Sequence, residues 1–134
     1  MQERVARVKE AAAQLRREVI TIIYQAQSGH PGGSLSEADI VAALYFDTLR
    51  VDPLNPEWPE RDRFILSKGH ACPGVYTALA MRGYFAMEHL CTLRRFESLL
   101  QGHPVLHKTP GLDMTTGSLG QGLSVACGMA LAAK

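Results

Sequence analysis

No stretch of this chain is apolar and uncharged for the roughly 20 residues a bilayer-spanning helix needs. A charge of one sign is missing as well. Fourteen Lys and Arg stand against 13 Asp and Glu, a net charge of +1, so nothing draws the chain toward nucleic acid or a membrane surface. Charges run through the first eighteen residues and leave no apolar core for a signal peptide. The three cysteines, Cys72, Cys91 and Cys127, are an odd number with no C-x-x-C spacing, which is not the pattern of a disulfide framework. They read as small buried residues of a cytoplasmic protein. Internal repeats and low-complexity segments are absent. What remains is an ordinary globular composition, 46% hydrophobic over 134 residues with mean hydropathy −0.04. That length suffices for a single domain, 1–134, with a core of its own.

The apolar pattern is mainly helical. Val5, Val8, Ala12, Leu15, Val19, Ile22, Ile23 and Ala26 recur at three- and four-residue steps, with charged residues between them. This predicts an amphipathic helix that stops at Ser28-Gly29-His30-Pro31. The charges interleaved along it read as a solvated face. Ser34 and Glu37 have the spacing of a capping box and predict a second, well-buried helix from Leu35 to Thr48. Pro53, Pro56 and Pro59 make the next segment a loop; Trp58 lies within it. Arg63-Phe64-Ile65-Leu66-Ser67 is the one run that reads as a strand, central and buried. Helices are expected at 74–81 and 87–96, irregular chain at 97–116, and a small-residue helix from Leu119 onward. Tyr24, Tyr45 and Phe46 fall at helical positions and read as core. A single strand forms no sheet. The chain therefore reads as a helix-rich piece of a larger α/β domain with one core strand.

Three of the five histidines directly follow a glycine. His30 lies in Ser28-Gly29-His30-Pro31-Gly32-Gly33, His70 in Ser67-Lys68-Gly69-His70-Ala71, and His103 in Gln101-Gly102-His103-Pro104. A fourth glycine-rich island is Thr115-Thr116-Gly117-Ser118-Leu119-Gly120-Gln121-Gly122. Glycine lets backbone turn sharply or approach a ligand, and histidine moves protons near neutral pH. Islands of this kind at the breaks between apolar segments point to one enzyme site built from several loops.

The order and wording of these islands resemble the thiamine-diphosphate-binding N-terminal section of transketolases. The fourth island is most similar to the split form, in which N- and C-terminal sections are separate polypeptides. The resemblance implies an α/β fold and transfer of a two-carbon ketol unit from a ketose phosphate to an aldose phosphate. It implies that His30 serves the sugar's C3 hydroxyl and that His103 contacts the donor's C1 hydroxyl, both catalytic and substrate-binding. It implies that His70 bonds the cofactor diphosphate and that Gly117 and Leu119 offer backbone groups to the aminopyrimidine. The implied partners are sugar phosphates and a C-terminal, pyrimidine-binding section, joined in an oligomer. The family's Gly-Asp-Gly metal motif has no counterpart here, so the resemblance places the Mg²⁺ ligands beyond residue 134. On this reading the section is truncated and inactive without the missing segment and its partner. Ser118 stands where many full-length members have proline, a change of little consequence where the neighbouring contacts are backbone ones.

Other readings of the same residues are weaker. His103 and His107 stand four apart, but Pro104 breaks the helix a zinc pair would need, and no H-E-x-x-H is present. His89 and His107 lack the glycine context and read as surface residues. Gly117, Gly120 and Gly122 do not have the spacing of a dinucleotide fingerprint. The alternatives that remain are a related ketol transferase with another acceptor, and a non-catalytic remnant that only packs against a partner.

Overall fold

A computed structural model describes all residues, 1–134. Helix α1 spans Gln2–Ala26 and buries Ala11, Ala12, Leu15, Val19 and Ile22 along one stripe. Its outer face carries the expected charges: Arg4 and Arg7 pair with Asp47, and Arg16 pairs with Asp39. The helix stops at Gln27, two residues before the expected glycine. Gln27 takes the left-handed conformation and sends its amide back to the Tyr24 carbonyl. Tyr24 is exposed rather than core, because it lies off the buried stripe.

The second predicted helix is broken. Helix α2 covers Pro31–Ser36 and α3 covers Ala38–Ala43. A wider turn over Leu44–Thr48 then closes with the Leu49 amide on the Leu44 carbonyl. The capping box does not form. Ser34 lies inside α2, fully buried, and Glu37 sits at the break with its side chain turned inward. Ile40, expected inside, is exposed, whereas Val41 and Ala42 face the core.

Helix α4, Cys72–Arg82, is the centre of the molecule. Every residue from Cys72 to Ala80 is buried, which its unbroken small and apolar sequence permits. Gly83 ends it at φ 93°, a conformation that favours glycine. Helices α1, α2 and α3 pack around it, and Tyr76, Leu79, Leu15, Val19, Leu93 and Leu100 form the body of the core. A 3-10 turn over Met87–Thr92 replaces the short helix predicted at 87–96. Residues 97–116 are irregular, as expected.

The predicted strand at Arg63–Ser67 is absent, and no strand occurs anywhere in the chain. A ladder needs a second strand, and none lies beside this segment. Its polar groups go elsewhere instead. The Phe64 amide donates to Asp113 Oδ2 at 2.8 Å, and the buried Arg61 guanidinium meets Asp113 Oδ1 at 2.6 Å. The α/β expectation therefore reduces to a helix-rich fold with an unpaired apolar segment.

Helix α5, Gln121–Ala132, lies outside the helical body. Gly122 is its one buried residue: a Cβ there would come within 2.7 Å of Ser67 Cα. Leu119, Leu123 and Leu131 are 72%, 67% and 70% exposed. A hollow of about 380 Å³, lined by Ile65, Ala126 and Met129 among others, separates the rest of α5 from segment 59–65. Of the cysteines only Cys72 is buried; Cys91 and Cys127 are exposed, one on a surface turn and one on the open helix α5. No helix is long and apolar enough to cross a membrane.

Candidate functional site

His30 occupies the position just before α2, where Pro31 opens the helix with its fixed φ. Ser34, one turn on, places its Oγ 3.0 Å from the His30 carbonyl and 3.3 Å from that of Ala71. One hydroxyl thus joins the first island to the second. His70 lies on a 3-10 turn, Gly69–Ala71, that leads directly into α4. Its ring meets that of His30 edge-on, with centroids 5.1 Å apart.

Two glycines make this approach possible. A Cβ on Gly33 would come 3.1 Å from His70 Nε2. A Cβ on Gly69 would come 2.5 Å from the Thr116 carbonyl oxygen, inside any tolerable contact. Here the second island rests on the fourth, backbone against backbone. Gly117 follows, and a Cβ on it would touch His103 Cδ2 at 3.7 Å. Close approaches therefore lead from His30 to His70, and by way of Gly69 and Thr116 to Gly117 and the neighbourhood of His103.

His103 is exposed, but its backbone is anchored. The Tyr76 hydroxyl lies 2.9 Å from the His103 carbonyl and 3.0 Å from that of Gln101. Cys72 Sγ lies 3.3 Å from the Gly102 carbonyl, and burial pushes its thiol up to about 12, so it stays protonated and can donate. Both anchors come from α4, the helix that His70 precedes. Sequence reasoning misses them because Tyr76 and Cys72 look like core residues, which they also are.

Ser67 holds the fourth island from the other side. Its carbonyl accepts the Gly120 amide at 3.3 Å, and its hydroxyl accepts the Leu123 amide at 3.2 Å. No protein hydrogen bond ends on the backbone of Gly117 or Leu119, and Leu119 is open to solvent. Thr116 Oγ1 is buried beside them without a partner. Free backbone groups next to close-approaching glycines suit a flat heterocycle with donors and acceptors on its edge.

Sequence reasoning also misses Glu37 and Lys68. Lys68 stands in the Ser-Lys-Gly-His run, where the neighbouring histidine is the more conspicuous residue. Its Nζ lies 3.2 Å from Glu37 Oε2. Burial outweighs that contact and pushes the Glu37 carboxyl up to about 7. His89 and His107 are exposed and stand apart from the site. No group of three His, Cys, Asp or Glu side chains is placed to hold a metal ion.

Residues 7–134 match the family described as "Transketolase, thiamine diphosphate binding domain". The chain is 50% identical over 132 residues to the 6-deoxy-6-sulfo-D-fructose transketolase subunit SqwG of Clostridium sp. (strain MSTE9), covering 98% of this chain and 48% of that one. It is 46% identical over 119 residues to an apulose-4-phosphate transketolase subunit of Phocaeicola vulgatus, covering 89% of this chain and 42% of the relative. It thus spans about half the length of these curated relatives. Among solved structures, Leishmania mexicana transketolase superposes with a TM-score of 0.90 at 37% identity, over 93% of this chain and 19% of that chain. Campylobacter jejuni transketolase does so with 0.89 at 40% identity, over 94% and 20%. With the ordered islands, the fold and these matches in agreement, the chain belongs to the transketolase family, within its thiamine diphosphate binding domain.

Proposed function

We propose that this chain is the N-terminal section of a split transketolase, transferring a two-carbon ketol unit from a ketose phosphate to an aldose phosphate. The carrying observation is that the four islands approach one another, His30 against His70, Gly69 against Thr116, and Gly117 near His103. Bound thiamine diphosphate would supply the electron sink that carbon–carbon cleavage requires. His70 would hold the diphosphate, and the free backbone of Gly117 and Leu119 would meet the aminopyrimidine. His30 would move the proton of the sugar's C3 hydroxyl, and His103 would steady the donor's C1 hydroxyl. Mg²⁺ is typical of the family, but no ligand cluster for it comes together on this chain, and no step is assigned to it.

The partner in this reading is a C-terminal, pyrimidine-binding section, the assembly an oligomer and its location the cytoplasm. The names of the two relatives point to a range of ketoses. Both 6-deoxy-6-sulfo-D-fructose and apulose-4-phosphate carry an anionic group, so the donor class here is a ketose with a terminal sulfonate or phosphate.

The test is kinetic, on the enzyme assembled with its partner section. His103→Ala should lower kcat with little change in the cofactor constant, because its contact is with the reacting unit. His70→Ala should chiefly raise the cofactor constant. Each loss should be on the order of 1–3 kcal/mol, the scale of a hydrogen bond to a charged group. Identical behaviour of the two variants would overturn the division of roles.

A further inference from the structure

Lys68 makes two hydrogen bonds and one ion pair. Its Nζ lies 2.7 Å from the Gly33 carbonyl, 3.1 Å from Ser36 Oγ and 3.2 Å from Glu37 Oε2. The acceptors all lie on α2 or at its end, while Lys68 belongs to the turn that carries His70. The ammonium therefore bridges the two histidine islands.

Glu37 is the unusual member. Its side chain is 6% exposed, and Oε1 has no partner at all. It packs on Gly74 of α4, where a Cβ would come within 2.8 Å of Oε1. Burying a carboxyl with one oxygen unsatisfied is costly. An exposed acid on α2 could attract Lys68 at far lower cost, but it would leave the ammonium free to swing into solvent. A carboxyl fixed between α4 and the α2–α3 break holds the ammonium in one place. From there Lys68 grips Gly33, the residue on which a Cβ would come 3.1 Å from His70 Nε2.

We propose that Glu37 and Lys68 are positioning residues: through Lys68 Nζ on the Gly33 carbonyl they hold the His30 loop against the His70 ring. The catalytic meaning of the two histidines rests on the function proposed above; the strap itself does not.

The experiment uses the full chain with isotopically labelled histidine, at pH 8. Wild type should give cross-relaxation between the His30 and His70 rings, whose centroids are 5.1 Å apart. Lys68→Met should abolish that cross-peak and speed amide exchange at Ser34, whose amide is bonded to the His30 carbonyl, by on the order of tenfold, a local opening. The His103 ring signal should not move. Glu37→Gln keeps an oxygen acceptor for Lys68 and should retain the cross-peak at reduced intensity. Lys68→Gln, with a shorter stem and a neutral donor, is the second variant should Lys68→Met fail to fold, and it too should lose the cross-peak. An unchanged cross-peak in the lysine variants, or His103 moving as far as His30, would overturn the strap. Such a failure, with the His70 and His103 kinetic contrast intact, would leave the ketol-transfer reading standing. The opposite pair of results would sink that reading alone.

Discussion

Glu37 makes the stability of this chain depend on pH in an uncommon direction. Burial raises its carboxyl from 4.5 to about 7 in the folded protein. Between those values the folded state keeps a proton that the unfolded state has lost. Folding therefore loses stability as pH rises through that window. Asp39 and Asp47 tilt the opposite way, since hydrogen bonds from Arg16 and Arg4 hold them below the usual carboxylate range. The informative quantity is therefore the difference between wild type and Glu37→Gln, measured by urea unfolding from pH 4.5 to 8. Wild type should fall relative to the variant as pH rises, and level off above about 7. A flat difference across the window would mean that the carboxyl titrates as it does in water. Nothing in the residue string marks Glu37 for this role. Its spacing from Ser34 reads as a helix cap, and only the break between α2 and α3 turns it inward.

At the scale of elements, α4 and α5 are opposites. Both are rich in small and apolar residues, yet α4 is buried from Cys72 to Ala80 and α5 buries one glycine and bonds Ser67 through its Leu123 amide. Gly122→Ala should push α5 off Ser67 and Ile65, at a cost of about 1–3 kcal/mol for overpacking. Hydrogen exchange should then show the α5 amides losing protection while those of α4 keep theirs. Equal loss in both helices would mean that α5 is integral to the core. Periodicity made α1 legible, because charged and apolar residues alternate along it at helical spacing. The ordered islands likewise made His30, His70, His103 and Gly117 legible as neighbours. Periodicity could not separate α4 from α5, since small apolar helices look alike whatever surrounds them. Nor could it deny a strand at Arg63–Ser67. An apolar run becomes a strand only when another pairs with it, and here Asp113, far along the chain, takes the Phe64 amide instead.

The whole molecule therefore has a well-packed side and an open one. Leu119, Leu123 and Leu131 face solvent together with the hollow beside Ile65 and Met129. Contiguous apolar surface of this kind drives association. Light scattering on the chain alone should show mass rising with concentration, and Leu123→Glu with Leu131→Glu should suppress the rise. A strictly monomeric wild type at high concentration would count against this. The main buried cluster, 18 residues including Tyr76 and Leu79, should still unfold cooperatively.

The seat of Gly69 on the Thr116 carbonyl also sets an order in time. Helix α1 grows from contacts between near neighbours, which form quickly. The Gly69–Thr116 contact closes a long loop, whose entropic cost has to be met before the contact yields anything. The meeting of the second and fourth islands is therefore expected later in folding than α1. Circular dichroism reads the helices of this chain and is blind to the loops that carry the histidines. Helical content is then a poor gauge of competence, and the ring contact between His30 and His70 a direct one.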